Sequence, residues 1–281
     1  MMLPTPSNTT TEGCVRATHQ VFAVDQSGKR QEITVVGEVP LTLKVDGFEI
    51  VRLMTLGNRA EELAIGYLRN QGLIEKIEEI ASVTVDWENE TVIVATRKAA
   101  EISYHRAQLS PPTMTSGCGQ GTLFDRALDA LYRSRFPKVR IRQSIIYALL
   151  KEIAPYNQLY KKAGAVHGCG LCQESKVLIF VEDVGRHNAA DAIAGRMWLD
   201  GIPGEDKIFY TTGRLTSEIV LKTARMRIPV LLSRSGITYL ALEIARDLGL
   251  TVIGRAKGMR HLIYNGAENI IFDALEKDTR N

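Results

Sequence analysis

Hydrophobic and polar positions alternate with a period of two along much of the first hundred residues. Residues 32–36 and Val39–Val45 read as strands, Asp46-Gly47 as a hairpin turn, and 48–54 as the return strand. From Ala60 the period lengthens. Ala60, Leu63, Ala64, Tyr67 and Leu68 fall on one helical face, with Asn58 as the expected cap and Glu61 at the capping-box position. Residues 82–87 and 91–96 return to the strand pattern around Glu88-Asn89-Glu90. Ser110-Pro111-Pro112-Thr113 then breaks regular structure.

Beyond residue 140 helix-length and strand-length segments take turns. The pattern predicts one long amphipathic helix over 144–162, a buried strand over 177–181, and a helix over 188–199 facing inward through Ala190, Ile193, Ala194 and Met197. Strand, helix, strand, helix and strand follow over 207–211, 216–227, 230–233, 238–248 and 251–253. Such alternation implies a largely parallel sheet with helices on both faces. Ligands of such sheets bind at loops beyond the carboxyl ends of the strands. Three loops there carry suitable chemistry: Thr211-Thr212-Gly213-Arg214, Ser233-Arg234-Ser235-Gly236, and Gly254-Arg255-Ala256-Lys257-Gly258-Met259-Arg260. Cations and glycines in the last suit a phosphate or pyrophosphate, although a solvated basic loop has the same composition. Thr212-Gly213-Arg214 leads into a helix start at Thr216-Ser217-Glu218, which suits an anion or is an ordinary capped turn.

The chain has 281 residues, enough for one large or two ordinary domains, and its 45% hydrophobic and 24% charged content is globular. A net charge of +3 without a Lys/Arg run argues against nucleic acid as a partner. No apolar stretch is long enough for a bilayer, and residues 1–12 lack a signal core, so the expected compartment is the reducing cytoplasm. The expected organisation is a disordered tail over 1–18, a small α+β domain over 19–112, a linker over 113–140, and an α/β domain over 141–281.

Four cysteines do not make a disulfide framework in a chain this long. Cys118 stands in Ser116-Gly117-Cys118-Gly119-Gln120-Gly121, directly before a helix start at Thr122 with Asp125 three residues on. A helix N-terminus favours a thiolate, and glycines open the sulfur to a partner. His167-Gly168-Cys169-Gly170-Leu171-Cys172 reads as a dithiol pair, half of a metal site completed by Cys118, or two cysteines packed in a buried edge strand. Cys14 has nothing near it to tune its pKa. Glu182-Asp183-Val184-Gly185-Arg186-His187 gathers two acids, a guanidinium and an imidazole around a turn. It positions a substrate, shuttles a proton, or forms a salt-bridged corner.

These segments together resemble the formate dehydrogenase accessory sulfur carrier family, FdhD. The matching pieces are Ser116-Gly117-Cys118-Gly119, Gly164-Ala165-Val166-His167, and Glu182-Asp183-Val184-Gly185-Arg186-His187-Asn188-Ala189-Ala190-Asp191. Gly213-Arg214-Leu215-Thr216-Ser217-Glu218 and the stretch from Gly254 to Arg260 continue the series in the family's order. The resemblance implies a cytoplasmic sulfurtransferase. It would accept persulfide sulfur from a cysteine desulfurase and deliver it to the molybdenum cofactor, a bis(molybdopterin guanine dinucleotide), required by formate dehydrogenase. It also implies a cytidine-deaminase-like second domain with a mixed sheet and helices on both faces, a homodimer, and no permanent metal. Cys118 matches the persulfide-carrying residue, and Arg255, Ala256, Lys257, Gly258, Met259 and Arg260 match the dinucleotide-binding stretch. Two positions depart from the family. Gly121 replaces the second cysteine that many members carry, which raises Cys169 and Cys172 as a surrogate pair, and Met259 replaces a glycine.

A non-catalytic cofactor chaperone is the alternative. A zinc-dependent deaminase is disfavoured, because no proline precedes the CxxC and no second CxxC is present.

Overall fold

The computed structural model describes residues 17–97, 136 and 139–274. Cys14, Cys118, Thr122 and nearly all of the expected linker lie outside the described residues.

The N-terminal half is built on a four-stranded sheet. Strands β3 (Val39–Val45) and β4 (Phe48–Thr55) are the expected hairpin, turning through Asp46 and Gly47, both with positive φ. Strands β5 (Ile80–Asp86) and β6 (Thr91–Thr96) complete it in the order β4-β3-β6-β5. A separate antiparallel ribbon, β1 (Thr18–Val24) with β2 (Arg30–Val36), precedes it.

Helix α1 (Ala60–Gln71) buries Ala60, Leu63, Ala64 and Leu68 as its pattern predicts, and also Ile65, Gly66 and Asn70. Its N-cap is Arg59 rather than Asn58, and no side chain caps it. The turn into it is held from a distance instead. Asp183 accepts the Thr55 hydroxyl at 2.5 Å and the Leu56 amide at 3.1 Å.

The second half is a six-stranded sheet in the order β13-β12-β11-β10-β8-β9. Its strands are β8 (His167–Gln173), β9 (Lys176–Asp183), β10 (Ile208–Thr211), β11 (Val230–Ser233), β12 (Thr251–Lys257) and β13 (Arg260–Asn265). Neighbouring strands pair in parallel only at β10–β11 and β11–β12; β8 and β13 run against the rest. The largely parallel sheet expected from alternation is therefore mixed. The difference comes from two hairpins. β8 turns into β9 through Glu174 in a left-handed conformation, and β12 turns into β13 through Gly258-Met259.

Helices cover both faces of this sheet. On one face lie α4 (Arg186–Leu199), α5 (Ser217–Arg225) and α6 (Tyr239–Leu248). On the other lies α2 (Gln143–Ile153), with Ile146, Leu149 and Ile153 packed on Cys172, Tyr210 and Leu232. The expected helix over 144–162 is interrupted: a 3-10 turn at Ala154–Tyr156 carries Pro155, and α3 (Gln158–Ala163) follows. Pro155 has no N–H to bond the previous turn, and its ring crowds the carbonyl four residues back. A short parallel pair, β7 (Ile141–Arg142) with β14 (Ile270–Ile271), closes this side.

One hydrophobic core spans both sheets. It runs from Leu41, Leu43 and Val92 through Leu63 and Leu68 of α1, then Ile193 and Met197 of α4, to Leu171, Phe209 and Leu231. α1 and α4 cross at two glycines. A Cβ at Gly66 would meet the Asp191 carbonyl oxygen at 1.7 Å, and one at Gly195 the Glu62 carbonyl oxygen at 1.9 Å. Among the described residues, no helix is long and apolar enough to cross a membrane.

Candidate functional site

The three parallel strands end at one rim, and backbone bonds stitch its loops together. Thr212 N–H donates to the Gly168 carbonyl at 2.9 Å, and Arg234 N–H to the Thr211 carbonyl at 3.2 Å. Leu215 N–H donates to Gly236, and Arg255 N–H to Ser235, both at 2.9 Å. The Ser233 hydroxyl adds a bond to the Gly213 carbonyl at 2.7 Å. The three loops singled out from the sequence are thus one continuous ledge.

The cationic stretch from Gly254 to Arg260 is a strand, a turn and a strand rather than a loop. A register shift between Gly254 and Lys257 marks a bulge, with Arg255 at φ 50°. A bulge of this kind re-aims side chains. Ala256 is fully buried and Arg255 is exposed.

The hairpin tip and α2 enclose a groove of about 580 Å³. Ala256, Lys257, Gly258 and Met259 line it; Arg255 and Arg260 do not. Lys151 of α2 and Arg234 supply two further cations, and Tyr147 and Tyr210 supply rings. Burial pushes the Tyr210 phenol up to about 12, against the pull of the Arg234 guanidinium. The sequence pointed to the hairpin and to the loop holding Arg234. It offered no local signal for Lys151 or Tyr147, which sit on a helix more than a hundred residues earlier.

Cys169 and Cys172 lie in β8, an interior strand between β10 and β9 rather than an edge. They face opposite sides of the sheet: Cys169 packs with the α4 side and Cys172 with α2. Burial pushes each thiol up to about 12. Both are therefore neutral, inaccessible, and unable to close a disulfide or share an ion across the strand. This corrects both the surrogate-pair and the metal readings. Among the described residues no three His, Cys, Asp or Glu side chains gather as a metal site.

The Glu182–His187 corner divides by role. The Asp183 carboxylate is a buried hub that also accepts Gly185 N–H at 2.9 Å and the Asn188 amide at 3.0 Å. Glu182 accepts the Leu159 and Tyr160 amides at 2.9 and 2.8 Å. These acids shape the loop. His187 sits at the rim, with Nε2 3.3 Å from Glu218 Oε2. Burial, then Lys222 and Arg186, depress its pKa to about 3. Beneath it Asp191 accepts Lys222 Nζ on both oxygens at 2.7 Å and the Asn70 amide at 2.7 Å.

Fold and rim define an α/β protein, built on a four-stranded and a six-stranded sheet, that presents a cationic groove at the ends of its parallel strands. The chain belongs to the FdhD/NarQ family, whose model matches residues 36–271. It is 33% identical over 237 residues to a sulfur carrier protein FdhD of Bacillus pumilus, covering 84% of this chain and 90% of that one. A protein of the same name from Bacillus subtilis is 30% identical over 91% of this chain and 98% of its own length. The crystal structure of a putative formate dehydrogenase accessory protein from Desulfotalea psychrophila superposes with a TM-score of 0.72 at 26% identity. That match covers 90% of this chain and 98% of the other.

Proposed function

We propose that this chain is a sulfur carrier for formate dehydrogenase. It takes persulfide sulfur from a cysteine desulfurase onto Cys118 and passes it to the molybdenum cofactor, a bis(molybdopterin guanine dinucleotide) bound as substrate. One observation carries the assignment of the thiol. Three cysteines fall within the span matched by the family, and two of them, Cys169 and Cys172, are buried and neutral within the sheet. That leaves Cys118.

The chemistry is a thiol–persulfide exchange. The Cys118 thiolate attacks the terminal sulfur of the donor persulfide. A new S–S bond forms at Cys118, the donor's S–S bond breaks, and the donor cysteine leaves as thiolate and takes up a proton. No net oxidation occurs. Lys257, Arg234 and Lys151 suit the phosphates of the dinucleotide, and the apolar lining beside Tyr147 and Met259 suits a planar ring. Holding the substrate there limits the search that the sulfur must make. The mixed sheet covered on both faces supports a cytidine-deaminase-like reading of the second unit. A homodimer and a cytoplasmic setting complete the proposal.

Mass measurement after incubation with a desulfurase and cysteine tests the carrier. Addition of sulfur to wild type and its loss in Cys118→Ala are expected. An unmodified wild type would favour a chaperone that moves no sulfur. Lys257→Ala or Arg234→Ala should weaken guanine-nucleotide binding roughly tenfold or more, the worth of one charge-assisted hydrogen bond. Arg260→Ala should do less, because Arg260 is outside the groove lining. Equal affinities across the three variants would remove the groove from the proposal.

A further inference from the structure

Beyond α2 the chain turns through Ala154–Tyr156 and re-enters a helix at Asn157, the N-cap of α3. An asparagine in that place ordinarily accepts the N–H of the second or third helical residue on its side-chain oxygen. Here Glu182 holds both of them, the Leu159 amide at 2.9 Å and the Tyr160 amide at 2.8 Å. Asn157 makes no capping bond with its side chain.

The Asn157 amide is anchored by its other end. Nδ2 donates to the Ile153 carbonyl at 3.2 Å, which leaves Oδ1 over. The residue is 3% exposed, and Oδ1 has no hydrogen-bond partner. Gly168 of β8 lies against this oxygen: a Cβ there would stand 2.8 Å from it. The missing side chain is what gives the amide its place over the strand. A buried acceptor without a donor is destabilising, and folded chains seldom keep one without a use.

Asn157 lines the groove, together with Lys151, Arg234 and Lys257. Those three cations suit phosphate. Asn157 differs from them in kind, because its free atom is neutral and can only accept. An ionised phosphate brings acceptor oxygens and has nothing to give it. Ile153 and Ala154, on the same wall, add apolar surface. The orphan oxygen therefore calls for an N–H carried on an apolar body. A guanine ring has that form, a flat face with an exocyclic amine that donates from its edge.

We propose that Asn157 Oδ1 accepts from the exocyclic amine of guanine, so that the groove selects its nucleotide by the base as well as by the phosphates. The assignment rests on the groove's being a guanine-nucleotide site, as inferred above. Glu182 acts through Asn157: by holding the two helix amides, it keeps the asparagine oxygen from closing on its own backbone.

The test compares guanosine diphosphate with inosine diphosphate on the full-length protein by calorimetry. The inosine analogue keeps the phosphates and the ribose and lacks only the amine. Wild type should bind the guanosine form roughly tenfold or more tightly, because the analogue leaves the acceptor unpaired. Asn157→Leu should bind the two alike. Lys257→Ala should weaken both and keep their ratio. A preference for guanosine diphosphate that survives in Asn157→Leu overturns the assignment. Equal affinity of wild type for the two nucleotides overturns it as well and leaves the groove standing. A wild type that binds neither removes the groove reading and this inference together. Should Asn157→Leu fail to fold, the side-chain amide resonances of wild-type Asn157 decide. They must move farther with guanosine diphosphate than with the analogue, and equal movement overturns the proposal.

Discussion

Several side chains here are held in protonation states that they would not keep in water. His187 is the clearest. Its ordinary value is 6.5, and in the folded chain burial and the cations around it depress this to about 3. Between those two values the unfolded chain binds a proton that the folded chain does not. Stability conferred by neutral His187 is therefore complete above about 6.5 and is lost as pH falls toward 3. Replacing His187 with Gln should flatten that limb of the stability–pH curve, followed by urea unfolding at stepped pH. A variant whose acid limb matches wild type would show that the imidazole is not its source. The buried pair of Asp191 and Lys222 beneath it is a different case. Burial pushes the Asp191 carboxyl up while Lys222 and Asn70 pull it down, so each partner depends on the other's presence.

At the scale of elements, the crossing of α1 and α4 decides how the two halves meet. Glycine within a helix ordinarily reads as weakness. Gly66 and Gly195 instead let backbone approach backbone, which no side chain permits. Gly66→Ala should cost about 3 kcal/mol or more, since the obstacle is a carbonyl rather than a movable side chain. Equilibrium denaturation measures it, and a loss well under 1 kcal/mol would mean that the helices separate easily. This contact was not legible in the sequence, because it depends on which helix the glycine faces. The strands and most helices were legible: alternation marked β3, β4 and β6, and the 3.6-residue period marked α1, α4 and α6. The reading faltered where turn chemistry hid inside a functional motif. Gly258-Met259 and Glu174-Ser175 turn hairpins, yet the first belonged to a basic stretch and the second followed a thiol pair. The site was half legible for the same reason. Lys257 stood out within its cluster, and Lys151 did not, because a lone lysine on a helix has no signature.

For the whole molecule, the shared core predicts a single cooperative transition. The two tryptophans report from either side. Trp87 packs near the four-stranded sheet, beside Gly57, and Trp198 lies at the end of α4 with Arg69 over its ring at 4.9 Å. Fluorescence of Trp87→Phe and Trp198→Phe should give coincident midpoints in denaturant. Separated midpoints would show that the halves unfold independently despite their common interior. The far end of the chain also reaches back to the groove wall: Asp273 accepts the Ser144 amide at 2.9 Å and its hydroxyl at 2.7 Å, fixing the first turn of α2.

The two sulfurs on opposite faces of β8 have a practical use. Because they are silent in the native chain, a thiol reagent applied under native conditions should mark residues 169 and 172 only in molecules whose central sheet has parted. The rate of that marking would then serve as a clock for opening, with one sulfur timing exposure of the α2 layer and the other exposure of the helices opposite. Modification of either at the rate of a free thiol would mean that the sheet breathes far more than its packing suggests.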